Sequence, residues 1–173
     1  DGGSSWDEVA SLSGTACYDI EFTPAGDAYA GTLGGLMTSS DGGATWTYLP
    51  FGFGLNQQTF EVTIDPLNPQ RIWVGIADAL GNQLSNVLRS DDAGASWMDM
   101  TPAAAAGQSV RAIAVDPADS NRVVIGIGGG FSGGGVWTST IGGTSWTDRS
   151  AGLPGNPMND LAFDGTRLLV CGG

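Results

Sequence analysis

The feature that most limits how this chain can fold is a short stretch that keeps returning. Ser39-Ser40-Asp41-Gly42-Gly43-Ala44-Thr45-Trp46 comes back as Ser90-Asp91-Asp92-Ala93-Gly94-Ala95-Ser96-Trp97. It comes back again as Ser139-Thr140-Ile141-Gly142-Gly143-Thr144-Ser145-Trp146, with Ile141 where the aspartate stood. The chain opens inside another copy, Asp1-Gly2-Gly3-Ser4-Ser5-Trp6. The four tryptophans stand roughly 40 to 50 residues apart, a period that means one supersecondary unit stacked side by side.

Each copy reads as a tight turn between two strands. The Asp carboxylate is expected to accept backbone N–H groups one or two residues on, as in an Asx turn. The glycines supply the positive φ that such a turn needs. The Ser and Thr hydroxyls tie the strand ends together. The Trp opens the return strand and is expected to bury its ring against the neighbouring unit. Turn chemistry accounts for every residue type, and nothing in the motif requires a substrate.

Ser-x-Asp-x-Gly-x-Thr-Trp resembles the Asp-box, or bacterial neuraminidase repeat. Asp1 and Trp6 carry the resemblance in the first copy. Ser39, Asp41, Gly43, Thr45 and Trp46 carry it in the second, and Ser90, Asp92, Gly94, Ser96 and Trp97 in the third. The fourth keeps Ser139, Gly143, Ser145 and Trp146 but lacks the aspartate, so its turn should be looser or differently bonded. The resemblance implies a structural turn of a β-propeller blade, away from any catalytic centre.

Between the turns the hydrophobic pattern has period 2, which excludes long helices. Tyr18–Phe22 alternates and runs into Pro24 and Gly26, a strand followed by a hairpin. Residues 27–31 and 35–39 follow as strands, and 45–49 as a fourth. The second unit repeats this with 60–64, 71–76, 86–90 and 96–100, and an insertion over 77–85. The third has 110–115 and 122–127, a Gly-rich loop over 128–134, and 136–138. A fourth begins with 159–163 and 167–171. The expected division is 1–15, the end of a truncated blade; 16–56, 57–106 and 107–156, one blade each; and 157–173, the start of another. Ile20, Val62, Ile113 and Leu161 then share one column, and Phe22, Ile64, Val115 and Phe163 a second on the same face. The expected fold is all-β: a propeller fragment of about three to four four-stranded antiparallel blades. That is too few to close a ring, since propellers use about 4–8 blades, so an open arc with exposed ends is expected.

Composition narrows the chemistry. The chain has 173 residues and a formal net charge of −12, which disfavours nucleic acid and anionic membrane surfaces. There is no His, so Ser-His-Asp and Cys-His catalysis and His-ligated metal sites are excluded from this stretch. Cys17 and Cys171 are too few for a disulfide framework or a zinc site and read as small buried apolar residues. No metal or cofactor is expected: Gly128-Gly129-Gly130 lacks the Lys and the helix of a phosphate loop. Asp65-Pro66 and Asp116-Pro117 read as turn starters, the alternative being calcium ligands where other oxygens converge. No apolar run is long enough to cross a bilayer. A start inside a motif and an end inside a strand pattern read as a piece of a longer protein.

The unit pattern also carries a second resemblance. Ala-Val-Asp-Pro-x-x-x-Asn-Arg-Val, followed by Gly-Val-Trp-x-Ser-x-x-Gly-Gly-x-x-Trp, is similar to the blades of xyloglucanases. It is equally similar to exported repeat proteins, and more distantly to sortilin-type receptors and photosystem assembly factors. The resemblance implies an extracellular or periplasmic location and leaves two partners open, a polysaccharide or a protein. The catalytic aspartates of xyloglucanases match no position here.

Asp19, Glu61 and Asp160 are the candidate catalytic residues, since they fall at equivalent places just before the first column, with Ala112 in the third unit. Paired carboxylates are the apparatus of glycoside hydrolysis; the same residues also read as a solvated channel wall. Arg111 beside them is a candidate substrate-binding residue, able to hold a carboxylate by a two-pronged hydrogen bond. Arg71, Arg122 and Arg167 recur at one blade position, which points to a structural role and against an arginine triad. Trp73 and Trp137 read as core, the alternative being a platform for a sugar ring.

Overall fold

The computed structural model describes residues 4–52, 57–78, 86–128, 134–155 and 157–172. Asp1, most of the insertion over 77–85, and the centre of the Gly-rich loop lie outside them. Among the described residues fourteen strands alternate with turns. β1 (Cys17–Phe22), β2 (Ala28–Thr32), β3 (Gly35–Ser39) and β4 (Thr47–Tyr48) form the first antiparallel sheet, in sequence order. β5 (Gln57–Asp65), β6 (Asn68–Asp78), β7 (Asn86–Ser90) and β8 (Met98–Asp99) form the second. β9 (Val110–Asp116), β10 (Asp119–Ile127), β11 (Gly135–Ser139) and β12 (Thr147–Asp148) form the third. β13 (Met158–Asp164) and β14 (Arg167–Gly172) pair as a hairpin. The outer strands β4, β8 and β12 are two residues each, shorter than the pattern predicts. Two short 3-10 turns, Ala10–Leu12 and Ala103–Ala105, lie in crossings between sheets.

Each sheet packs on the next through alternating side chains. Tyr29, Leu36 and Phe51 of the first unit meet Val62, Ile72, Val74, Ile76 and Leu88 of the second. Trp73 and Val87 on the opposite face of the second sheet meet Ile113, Val123 and Ile125 of the third. Ala112, Ala114, Val124 and Val136 meet Met158 and Leu161 of the hairpin. Because β6 is covered on both sides, it reads as a continuous apolar run, Ile72-Trp73-Val74-Gly75-Ile76. In the first column Val62, Ile113 and Leu161 are buried against the preceding sheet. Ile20 and Phe22 are exposed, since among the described residues no sheet covers that face of β1.

That open end overturns two expectations. Cys17 and Cys171 are both free and exposed, not buried, because each lies on a terminal sheet with an uncovered face. Trp6 is 89% exposed and anchors nothing. The other three motif tryptophans are anchors. Trp46 packs on Ala28 and Ala30, with Val9 and Leu12 above it. Trp97 meets Phe51 edge-on at 5.9 Å. The Trp146 indole N–H donates to the Met100 carbonyl at 2.6 Å.

The repeated turns are wired differently from a simple Asx turn. Asp41 does not bond one or two residues on; its carboxylate accepts the Thr45 N–H at 2.8 Å and the Thr45 hydroxyl at 2.6 Å. The Ser39 hydroxyl takes the nearer duties, donating to Asp41 at 2.8 Å and accepting the Gly43 N–H at 2.9 Å. Ser90, Asp92, Gly94 and Ser96 repeat these bonds. Hydrogen bonds from Thr45 hold the Asp41 carboxyl down at about 2. At Ile141 the serine half survives, with the Gly143 N–H on the Ser139 hydroxyl at 2.9 Å, and the carboxylate half is gone. Gly43, Gly94 and Gly143 hold φ near +90°, the conformation that excludes a side chain.

One packing rule recurs at all three junctions. A β-bulge precedes the carboxylate position in each first strand, so Asp19, Glu61, Ala112 and Asp160 pair with Gly31, Gly75, Gly126 and Cys171. The next sheet presses directly on those glycines. A Cβ would stand 2.7 Å from the Thr59 carbonyl oxygen at Gly31, 2.8 Å from that of Val110 at Gly75, and 2.9 Å from the Met158 Cβ at Gly126. Gly75→Ala is therefore expected to destabilise the chain by about 1–3 kcal/mol, since an added methyl meets backbone that cannot rotate away. Urea denaturation checks this, with Gly34→Ala as the control, where the nearest atom is 3.8 Å away.

Candidate functional site

The first strands of all four sheets converge on a cleft of about 400 Å³. Its polar lining is Asp19 and Glu21 from β1, Glu61 and Thr63 from β5, and Asp160 from β13. The three carboxylates singled out in the sequence thus share one cavity. They come together because each stands just after a bulge, and the bulge sets the direction of the side chain that follows it. β9 carries Ala112 at that position, which leaves a gap in the acidic row.

Each carboxyl also has a structural partner. Asp19 accepts the Ile20 N–H and, across the junction, the Val62 N–H, both at 2.9 Å. Glu61 accepts the Ile113 N–H across the next junction and the Thr63 hydroxyl, both at 3.4 Å. Asp160 accepts the Leu161 N–H at 2.8 Å. The first two are clips between neighbouring sheets as well as cleft walls.

The electrostatics separate them. Burial, with the charges of Asp19 and Asp160 nearby, pushes the Glu61 carboxyl up to about 8, so it holds its proton at neutral pH. Burial also raises Asp19, against the pull of its two backbone N–H bonds. Glu21 is raised by burial and by Asp19. An acid that stays protonated, facing neighbouring carboxylates, is the asymmetry that acid–base chemistry uses.

Arg111 is placed elsewhere. It is the bulged residue of β9, as Tyr18 and Phe60 are of β1 and β5. The three form a row: Tyr18 and Phe60 rings 4.8 Å apart, then the Arg111 guanidinium 4.8 Å over Phe60. Arg111 also donates to the Gly128 carbonyl at 3.3 Å and does not line the cleft. The recurrent arginines bind their own turns. Arg71 pairs with Asp91 at 2.6 Å and Asp65 at 3.5 Å, and Arg122 with Asp116 at 2.7 Å. Asp65 and Asp116 are turn residues, accepting the Leu67 and Ala118 N–H groups. Among the described residues no group of acidic or Cys side chains is arranged to hold a metal.

Sequence reasoning missed Glu21 and Thr63, although both stand two residues beyond a named carboxylate and so share its face. It also missed the bulges, for which the sequence carries no signal other than the glycine opposite.

No family model matches the chain. A xyloglucanase of Acetivibrio thermocellus is 26% identical over 155 residues, which cover 80% of this chain. The chain spans 18% of the length of that relative. Among solved structures, the GH74 xyloglucanase of Xanthomonas campestris superposes over 100% of this chain and 31% of its own, with a TM-score of 0.76 and 21% identity. A GH74 enzyme of Niastella koreensis covers 89% of this chain and 28% of its own, with a TM-score of 0.73 and 20% identity. YCF48, solved bound to D1 peptide, covers 85% and 43%, with a TM-score of 0.60 and 16% identity. At these identities the structural likeness speaks to fold: the chain is an open arc of β-propeller blades.

Proposed function

We propose that this chain is part of a xyloglucanase-like, secreted propeller of the Asp-box type, and that its cleft binds and hydrolyses a polysaccharide. The observation that carries the reading is the cleft that brings Glu61, its carboxyl pushed up to about 8 by burial, together with Asp19 and Asp160. Glycoside hydrolysis needs one carboxylic acid to protonate the leaving oxygen and one carboxylate to activate water or attack the sugar. Glu61 is the acid. Asp160 is the base or nucleophile, since Asp19 is tied down by two backbone N–H groups. Thr63 lines the cleft beside Glu61, its hydroxyl donating to the Ile113 carbonyl at 2.9 Å. The net charge of −12 fits a neutral glycan better than an acidic one.

The test uses the chain with xyloglucan. Retarded migration through a xyloglucan-loaded gel, with release of reducing ends, supports the reading; neither effect ends it. A second reading, a non-catalytic scaffold for a protein partner, is favoured by the use of Asp19 and Glu61 as clips between sheets. It gains if the chain binds no glycan and Asp160→Ala changes nothing but stability.

A further inference from the structure

Apart from the cleft, a groove of about 570 Å³ lies between the second and third sheets, at their outer strands. Two indoles line it, Trp137 of β11 and Trp146 of the turn that follows β11. The junction between the first and second sheets carries an aromatic pair at the matching turn. There Phe51 is buried, with its ring edge-on to Trp97 at 5.9 Å. In the second junction the buried residue beside Met100, Val87 and Trp146 is Ala105, and Pro102, which lines the groove, stands as far beyond Trp97 as Phe51 stands beyond Trp46. That wall of the groove is built of Pro102, Ala103 and Ala104 and carries no aromatic ring. At the same position of the third strand, the first sheet has Met37 and the second Leu88, whereas the third has half-buried Trp137.

The polar groups of the groove differ from their counterparts as well. In the intact turns an aspartate engages the N–H and hydroxyl of Thr45 or Ser96. Ile141 has no carboxylate to offer. Ser145, the equivalent residue, lines the groove and makes no hydrogen bond among the described residues. The Trp137 indole N–H is buried and has no acceptor among them. On the opposite wall the Asp99 carboxylate accepts Asn86 and Thr101. No cationic side chain lines the groove.

Taken together, two aromatic faces, unpaired donors on one wall and a carboxylate on the other fit a neutral ring that has apolar C–H faces and a hydroxyl edge. We propose that the groove is a second binding site, for a neutral sugar residue of a β-glucan, separate from the cleft. The ring lies between the two indoles, Ser145 and the Trp137 N–H donate to its oxygens, and its hydroxyls donate to Asp99. The degenerate turn is then the device that releases Ser145 for a ligand.

Titrating the ¹⁵N-labelled chain with cellohexaose tests this, read at the indole N–H resonances of Trp137 and Trp146. Saturable shifts of both are expected. Ala104→Phe fills the groove from an exposed position of its wall and is expected to weaken binding about tenfold, by loss of ring stacking. Ile141→Asp rebuilds the turn and recaptures Ser145; it is expected to weaken binding about fivefold, the worth of one neutral hydrogen bond, without lowering the melting temperature. Glu61→Gln, at a side chain that does not line the groove and that still accepts the Ile113 N–H, leaves these titrations unchanged, so failure of the cleft reading and failure of this one are distinguishable. Indole resonances that stay still at saturating sugar, or equal affinity in the wild type and both groove variants, overturn the proposal. A proline-rich peptide that shifts Trp137 where cellohexaose does not also overturns it.

Discussion

Glu61→Gln is expected to make the chain more stable above pH 8 and, if the cleft is catalytic, to remove turnover. In the folded chain burial holds the Glu61 carboxyl up at about 8, against an ordinary value of 4.5. The folded state therefore keeps a proton that the unfolded state has already lost at neutral pH. Stability from this group is fully present below about pH 4.5 and falls as the pH rises towards about 8. Each pH unit of that window costs about 1.4 kcal/mol at full effect, so the total is on the order of a few kcal/mol. Gln mimics the protonated acid in shape and still accepts the Ile113 N–H, so the variant should lack this slope. Urea midpoints between pH 4 and 9 measure it. Parallel curves for wild type and Glu61→Gln would mean that Glu61 is ionised in the fold, and the proton donor would be lost with it. Removing a general acid typically costs about 10²–10⁴ in rate, which xyloglucan reducing-end release reads at pH 6. Retained turnover in Glu61→Gln, beside a flattened pH profile, leaves Glu61 as an intersheet clip alone.

Trp73→Ala is expected to cost about 3–5 kcal/mol, the usual range for deleting a buried aromatic ring. Trp73 is fully buried between the second and third sheets. Its ring carries the Arg89 guanidinium at 5.6 Å, and Arg89 also pairs with Asp91 at 2.7 Å. On the other side it touches the fourth copy of the turn so closely that a Cβ at Gly143 would stand 2.6 Å from it. Deletion thus opens a cavity and loosens a cation and a turn together. Domains of this kind are stable by about 5–15 kcal/mol, so the loss removes a large share. Thermal and urea unfolding followed by circular dichroism measure it. Trp137→Ala is the comparison: its ring is half-exposed, and a smaller loss is expected. Equal losses at the two positions would show that Trp73 does not anchor the junction.

Much of this was legible in the sequence because period-2 strands and Gly-rich turns declare themselves locally. The strand over Gly35–Ser39 and the pairing of first and second strands follow from alternation and from Asp65-Pro66 and Asp116-Pro117. The acidic row was legible for a different reason: repetition aligned Asp19, Glu61 and Asp160 without knowledge of the fold. What escaped was everything that depends on one sheet meeting another. Cys17, Cys171 and Trp6 read as buried from residue type alone, and burial is decided by whether a neighbour stands on that side. Arg111 read as a cleft residue because it is next to Ala112 in the chain; the bulge sends it to Phe60 instead. The perimeter groove has Pro102 where the first unit has Phe51, and absence of a ring leaves no motif to find.

The glycine that faces every junction has a consequence for descent. Because Gly31, Gly75 and Gly126 give each interface the same clearance, any unit of this chain presents its successor with an equivalent seat. Tandem duplication or loss of a whole unit therefore leaves the remaining seams unaltered, whereas a single added methyl at one seam does not. Copy number is the tolerant variable in the history of such a chain, and the narrow contact is the conservative one.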